Sequence, residues 1–311
     1  MALSTPANYE DWIPEERDGQ VLRALTETSW VEAHAKKYAM RSDTLSIPRS
    51  DGMDVSGVYK ATDYTYDEGD VDNVILVAKK FGKVVGLNEE DLEDSHLNLL
   101  EEKRLDWARA YAVAFDNACL GVTGAADHVD RPFVSIYKSL RTSDSTTSYT
   151  ADDNHVLSAS AGLVSYDDLS EVLGIYEQGE YFDEARTAIV AHPSFKQQLR
   201  GIKDNEGRPI FVQGQTSPEN GTPSTLFGYP IMFSHGAKTS ATMTRRPEGK
   251  ALLFVTNVDF VALGVRSGPE SQISPANAGI GFISDQAILK MRSRRGFALT
   301  HQGAASVLEV Q

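Results

Sequence analysis

Cysteine is nearly missing from this sequence. Cys119 is the only one among 311 residues, so the chain can form neither an intrachain disulfide nor a cysteine zinc cluster. It falls on the apolar side of a predicted helix, which favours a buried, inert thiol over a nucleophile.

A basic surplus and long apolar runs are also missing. The chain has 30 Lys and Arg against 44 Asp and Glu, a net charge of -14, which argues against nucleic acid as its main ligand. We interpret the acidity as a solubility feature.

No apolar run approaches the ~20 residues of a membrane span. The polar, acidic N-terminus lacks the basic start and apolar core of a signal peptide, so we expect synthesis in a reducing cytoplasm.

Motifs of catalysis and cofactor binding are missing as well. The chain lacks a P-loop, a metalloprotease H-E-x-x-H and a G-x-S-x-G elbow, and its one G-x-G, at 279–281, lies in a predicted loop. His192 precedes a proline and reads as a turn residue. The DDNH run at 152–155 is interpreted as a solvated loop rather than a weak cation site. We therefore assign no catalytic, cofactor or metal residue, although active sites assembled in space escape such a search.

The strongest positive signal lies at 74–124. A strand is predicted over 74–85, followed by an acidic turn in which Asp94 or Ser95 could cap a helix that stops at Gly121. Apolar residues recur there at helical spacing: Leu97, Leu100, Trp107, Ala108, Tyr111, Phe115 and Ala118. This helix exceeds the usual length in globular proteins, which is typical of a scaffold element.

Two segments before it have little core of their own. Residues 42–73 combine β-formers with turn signals and predict a long β-hairpin or extended loop, either an arm that meets a partner or a solvated hairpin. Residues 1–41 contain few apolar residues that could form a core. They either pack on another surface, such as a neighbouring subunit, or form a frayed tail.

The remaining elements predict an α+β fold. We expect helices at 166–176 and up to 199, strands at 186–191, 227–233 and 252–256, and a closing strand pair at 287–300 and 305–310 around a turn at 301–303.

Six blocks, in order, resemble the major capsid proteins of tailed phages, which share the Hong Kong-type capsid fold. They are LNEEDLED with the long helix, the helix and strand at 166–193, LRGIKDNEGRPIF at 199–211, LFGYPI at 226–231, LLFVTNVDFVALG at 252–264 and ILKMRSRRGFALTHQGAASVLEV at 288–310. Each block alone is weak, and their shared order makes the resemblance specific.

The resemblance implies a domain plan. It comprises an N-terminal arm at 1–41, an extended β-hairpin loop at 42–84, a peripheral domain with the spine helix at 85–135, an axial domain at 136–270, and C-terminal strands at 271–311 that return to the peripheral domain. Some relatives carry a long, cleaved scaffolding segment before the extended loop. Here only about forty residues precede that loop, so the resemblance implies a separate scaffolding protein.

The implied function is structural. The chain would assemble in the host bacterial cytoplasm into pentamers and hexamers of an icosahedral virion shell around double-stranded DNA. Its main partner would be itself. A scaffold, a portal and a decoration protein are further candidates, and DNA would be contacted non-specifically at most. No membrane or cofactor is expected.

Nine residues are candidate contacts between subunits. An acidic arm could meet basic strands of a neighbour, although a solvated strand face explains the arginines equally well. The candidates are Trp12, Trp30, Tyr59, Lys60, Tyr64, Tyr66, Arg292, Arg294 and Arg295.

Some family members crosslink a loop lysine to an asparagine of another subunit. Lys60 and Asn277 are the best such pair here, but no motif surrounds them, so we predict a non-covalent shell. The competing hypothesis is an α+β enzyme or binding module with a mobile lid at 42–73. Its mark would be a cleft of titratable residues and a small oligomer in solution.

Overall fold

The computed structural model describes residues 29–50, 71–94, 98–127, 129–202, 224–275 and 283–311. In these ranges the chain is α+β, with a four-stranded sheet, a six-stranded sheet and a two-stranded hairpin. The helices are α1 (Trp30–His34), α2 (Glu89–Asp94), α3 (Leu99–Leu120), α4 (Ile136–Leu140), α5 (Tyr166–Glu177) and α6 (Phe195–Gly201). Among the described residues, no helix combines the length and apolarity of a membrane span.

Twelve strands make up the sheets of the described chain. They are β1 (Lys36–Ala39), β2 (Thr44–Ser50), β3 (Val71–Val77), β4 (Lys79–Asn88), β5 (His155–Leu157), β6 (Thr187–Ala191), β7 (Ser224–Leu226), β8 (Tyr229–Phe233), β9 (Leu252–Asn257), β10 (Val261–Ser274), β11 (Gln286–Leu299) and β12 (Ala305–Glu309).

The predicted long helix is α3, with 22 residues. The predicted cap was wrong: Asp94 ends the separate acidic helix α2, and Asn98 caps α3 by accepting from the Glu101 amide at 3.3 Å. Gly121 ends the helix where a Cβ would lie 2.0 Å from the Lys238 carbonyl oxygen, so this close approach requires glycine.

The four-stranded sheet has the order β1-β10-β11-β4 and packs against α3. Alternate side chains of β11 are buried on one face, and one of them, Ser293, meets the Tyr111 hydroxyl of α3 at 3.2 Å. The predicted strand at 74–85 is two strands. β3 pairs with β2, whereas β4 pairs with β11, and Ala78 between them donates its amide to the Asp43 carbonyl.

The six-stranded sheet has the order β5-β12-β9-β6-β8-β7 and is covered on both faces. Phe254 of β9 packs with α3 and α4 on one face, and its neighbour Val255 packs with α5 and α6 on the other. The strand predicted from 227 begins at Tyr229, because Phe227 and Gly228 form a turn with φ of 52° and 94° between β7 and β8.

The two predicted C-terminal strands are confirmed, but the prediction that they pair with each other was wrong. β11 belongs to the four-stranded sheet, and a 3-10 turn at Gln302–Ala304 carries the chain into the six-stranded sheet, where β12 pairs with β5 and β9. All five residues of β12 are buried, which requires cover on both faces. Strand pairing therefore differs from the expected domain boundaries. β4, expected in the extended loop, and β10, expected in the axial domain, both belong to the four-stranded sheet beside α3. β12, expected with the peripheral domain, belongs to the six-stranded sheet instead.

Candidate subunit interface

A buried carboxylate fixes the point where the N-terminal segment reaches the long helix. Asp116 of α3 accepts hydrogen bonds from the amides of Trp30 and Val31 at 2.9 and 3.2 Å, and from the hydroxyls of Ser29 and Ser234 at 2.5 and 2.7 Å. Burial raises the pKa of Asp116 to about 6, although these four hydrogen bonds act in the opposite direction. The start of α1 is thereby held against α3.

This contact corrects two expectations about the arm. Trp30 is 3% exposed and belongs to the main core, so its side chain is not a surface for a neighbour. Val31 and Ala35 are buried in the same cluster, and β1 joins the four-stranded sheet. The last part of the predicted arm is thus a folded part of the subunit, because its apolar residues meet α3.

An arginine clamps the base of the extended hairpin. Arg49 of β2 lies opposite Asp72 of β3, and its Nη2 contacts Asp72 at 2.9 Å and Asp144 at 2.7 Å. Its Nη1 donates to the Thr300 carbonyl oxygen at 3.0 Å. The Arg49 side chain is only 9% exposed, so these contacts are shielded from water. β2 and β3 are therefore held against the body of the subunit at this point.

The two faces of the hairpin base differ. Leu76 is fully buried and packs with Met40, whereas its neighbours Ile75 and Val77 are 60% and 39% exposed on the opposite face. Pro48, across from Asn73, is also exposed on that outer face. Exposed apolar side chains on the outer face of a clamped hairpin are suited to contact with another molecule.

The arginines of β11 have partners within the chain. Arg292 binds Glu270 at 2.9 Å, Arg294 binds Asp43 at 2.9 Å, and Arg295 binds Glu32 at 2.9 Å. Arg295 is 6% exposed, so it is an internal ion pair and not a free contact. Arg292 and Arg294 keep about a third of their side chains exposed (37% and 36%) and remain candidates for a contact on the sheet's outer face.

The other candidates lie outside the described residues: Trp12, Tyr59, Lys60, Tyr64, Tyr66 and Asn277. The G-x-G at 279–281 also lies there.

A polar cluster around Glu309 was not predicted. The Glu309 carboxylate meets the Tyr137 hydroxyl at 2.8 Å, His155 Nε2 at 2.9 Å and Lys250 Nζ at 3.0 Å. Burial acts to raise the pKa of Glu309, but hydrogen bonds from these three groups lower it to about 2. The cluster links β12 to α4, β5 and the loop before β9. An acid within the otherwise apolar run SVLEV was the available signal.

The other polar residues considered for chemistry are used for structure. Asp152 pairs with Arg141 at 3.0 Å, and no three potential metal ligands come together among the residues that the structure describes. His192 Nδ1 bonds the Ser194 hydroxyl at 2.9 Å, and burial lowers its pKa to about 4. This is the geometry of a turn residue.

Comparisons with known proteins agree on one family. The model of the phage capsid family matches residues 10–310. A curated relative, "Probable major capsid protein gp17" of Mycobacterium phage L5, is 22% identical over 223 residues, which are 71% of this chain and 64% of the relative. The aligned part thus spans just under two thirds of that relative's length.

Solved structures are similar over almost the whole chain. One from Mycobacterium phage Bobi has a TM-score of 0.73 at 17% identity and covers 96% of each chain. Another, titled "Capsid of native GTA particle computed with C5 symmetry", has a TM-score of 0.70 at 15% identity and also covers 96% of each chain. These likenesses confirm the expected capsid fold, and the family match leads to a plain conclusion: this chain belongs to the phage capsid family.

Proposed function

We propose that this chain is a structural major capsid protein that assembles into pentamers and hexamers of an icosahedral shell around packaged double-stranded DNA. The observation that carries the proposal is the family match over residues 10–310. Its virion location, and assembly in the cytoplasm of a bacterial host, are part of the same proposal.

The surfaces of the subunit support a role in a shell. A shell subunit meets several neighbours, so it needs segments that project and a body that keeps their direction. The Arg49 contacts fix the direction of the hairpin, and its outer face presents Ile75 and Val77 to a neighbour. Burial of such side chains contributes about 25 cal/mol per Å² of apolar area, so a wide contact adds up to stable association.

We place the domains by strand pairing. The peripheral domain comprises α3 and the sheet of β1, β4, β10 and β11. The axial domain, at capsomer centres, comprises the six-stranded sheet with β12. Residues 1–28 and 51–70 are proposed to contact neighbouring subunits. Scaffold, portal and decoration proteins are proposed partners, and the shell is held without covalent crosslinks.

The alternative is an enzyme or binding module with a lid at 42–73. Membership in the phage capsid family favours the structural role. The described part of the hairpin also argues against a mobile lid, because Arg49 and Leu76 anchor both of its strands to the body of the subunit.

Electron microscopy of the purified protein tests the proposal. We expect rings, shells or capsid-like sheets, with and without a co-expressed scaffold and over a range of salt. Compact small oligomers in every condition would contradict it.

One variant tests the outer face of the hairpin. Ile75→Glu adds charge to an exposed position, so it should leave subunit stability within about 0.5 kcal/mol and prevent assembly. Val129→Glu, at a site 76% exposed, is the matched control. Equal assembly of the two variants would count against the hairpin contact.

A further inference from the structure

One flank of the six-stranded sheet is strongly acidic. Residues 156–185, which contain α5 and the loop after it, hold seven Asp and Glu and no Lys or Arg. The apolar side of α5, with Leu169 and Val172, is buried against the sheet, so the acids lie on the outer side. The exposed ones are Asp167, Glu171, Glu177, Glu180, Asp183 and Glu184.

Most of this charge is not neutralised by the residues that the structure describes. Across the described residues, Asp167, Glu171, Glu180 and Glu184 form no ion pair. Asp168 is different, because it is buried and closes the capping box of α5 with Ser165. The flank therefore presents unpaired carboxylates on a rigid helix and its loop.

The opposite flank carries exposed arginines. The loop between β8 and β9 holds Arg245 and Arg246, both exposed and, within the described part of the chain, without an ion pair. Lys238 and Lys250 add positive charge, and Lys250 already binds Glu309. The nearby acids are Glu248 and Asp130, so this flank stays net positive.

The arginine loop is held in place by the long helix. The Asn117 side chain of α3 donates to the carbonyl oxygens of Gly236 and Lys238 at 3.0 and 2.9 Å and accepts from the Ser240 hydroxyl at 2.7 Å. The Met243 amide donates to the Asp130 carbonyl oxygen at 2.8 Å, and the Met243 side chain packs on the main core. The loop is thus positioned before any partner binds.

The two flanks lie on opposite faces of the same sheet. α5 covers the face that contains Val255, and the arginine loop lies with α3 on the face that contains Phe254. A ring of identical subunits needs two different, complementary surfaces on each member. We propose that the acidic flank of one subunit binds the arginine loop of the next copy around the capsomer axis. This rests on the proposed capsid function and specifies which surfaces meet in the axial domains.

Such a contact mainly raises the rate at which subunits associate and fixes how they align with each other. Complementary charge raises association rates, and juxtaposed like charges are strongly disfavoured. The Debye length falls from about 10 Å at 0.1 M salt to about 3 Å at 1 M, so the effect should weaken as salt rises.

Charge exchange between the flanks tests the inference. Arg245→Glu/Arg246→Glu makes both flanks acidic. The four-lysine variant, Asp167→Lys/Glu171→Lys/Glu180→Lys/Glu184→Lys, leaves three acids against four lysines on the acidic flank and so makes that flank basic. Each of these variants should assemble at least about tenfold more slowly than wild type at low salt, by light scattering. The variant that combines all of these changes should recover. A control that combines the arginine changes with Glu89→Lys/Glu90→Lys/Glu93→Lys/Asp94→Lys on α2 has the same net charge and should not recover.

A mixture of the Arg245→Glu/Arg246→Glu variant and the four-lysine variant gives a second readout. In a 1:1 mixture each acidic variant can alternate with a basic one. Six-membered rings then satisfy every contact, whereas five-membered rings must contain one like-charged contact. Electron microscopy should show hexamers and few pentamers.

The outcomes separate the two proposals. If wild type never assembles, the capsid proposal fails and the inference falls with it. If wild type assembles but the Arg245→Glu/Arg246→Glu variant and the four-lysine variant match it, or if the α2 control recovers equally, only the inference is overturned.

Discussion

Replacement of Asp116 by alanine is expected to release the start of the N-terminal segment from the long helix. Four donors converge on this carboxylate: two backbone amides of α1 and the hydroxyls of Ser29 and Ser234. The side chain is 1% exposed, so water does not replace it readily. Asp116→Ala leaves these donors facing a void.

The size of the effect follows from those donors. A buried donor without a partner costs about 1–3 kcal/mol. The hydroxyls can rotate to other acceptors, whereas the amides of Trp30 and Val31 cannot move without unwinding α1. The two amides alone predict a loss of about 2–6 kcal/mol in the free energy of unfolding. Hydrogen exchange at 29–35 should accelerate with it.

The pH dependence has a definite sign. The pKa of Asp116 is raised from 3.8 to about 6 in the folded state. Between these values the folded protein binds a proton that the unfolded chain does not, so this group adds stability as pH falls. The contribution is complete below about pH 4 and lost above about pH 6. A shift of about 2 units corresponds to about 3 kcal/mol. The cost of Asp116→Ala should therefore grow by up to this amount between pH 7 and pH 4.

Urea unfolding of unassembled subunits at pH 7 and pH 4.5 measures both quantities. Asp106→Asn, at an exposed carboxylate on the same helix, controls for the loss of one helix charge. The reasoning is refuted if the difference between wild type and Asp116→Ala is equal at the two pH values, or smaller at pH 4.5.

Four further predictions follow from single contacts. Arg49→Met should cost about 2–3 kcal/mol and speed hydrogen exchange in β2 and β3, because Asp72 and Asp144 lose their charged donor; unchanged exchange would contradict the clamp. Glu309→Gln should lower the free energy of unfolding by about 2 kcal/mol at pH 7. The pKa of Glu309 is lowered to about 2, so the stability from its ionised form is lost on acidification and the cost of the substitution should shrink as pH falls from 4.5 toward 2. Urea titrations of both proteins at pH 7 and near pH 2 measure this difference. Gly121→Ala should cost at least about 2 kcal/mol because its Cβ would meet the Lys238 carbonyl, whereas Gly174→Ala in α5, with open space around it, should gain up to about 1 kcal/mol; equal melting temperatures would contradict this. Denaturing gels of mature particles should show one band near 34 kDa, unchanged by Lys60→Ala, and a ladder that this substitution abolishes would overturn the non-covalent shell.

Local periodicity was enough to find the long helix and α5. The apolar residues of α3 repeat at helical spacing through Tyr111, Phe115 and Ala118, and all three are buried in the core. Helix ends were harder, because Asp94 and Asn98 are both residue types that cap helices well, yet Asp94 ends α2 and Asn98 caps α3. The choice depends on the backbone conformation at each residue, which a pattern of side chains does not record.

Sheet membership could not be predicted from local sequence. β11 and β12 are separated only by 300–304, and adjacent strands commonly pair with each other. Here they join different sheets because β12 is buried on both faces and fits only between β5 and β9. The sequence VLEV at the end of a strand is compatible with membership in either sheet. The sheet that a strand joins depends on which other elements cover each of its faces, and that is a property of the whole fold.

The contacts that organise the surface share a signal that sequence reasoning did not use. Glu309 is an acid within an otherwise apolar run, and Asp116 lies next to Asn117 in a mostly apolar part of α3. Each binds partners far along the chain, such as Ser29 and Tyr137. A buried charge is retained only where partners satisfy it, so such an acid predicts a junction between distant segments. The buried charges of Asp116, Arg49 and Glu309 thus fix the start of α1, the hairpin and the C-terminal strand. The two flanks of the six-stranded sheet carry charges that have no ion pair among the described residues, and another molecule can neutralise them.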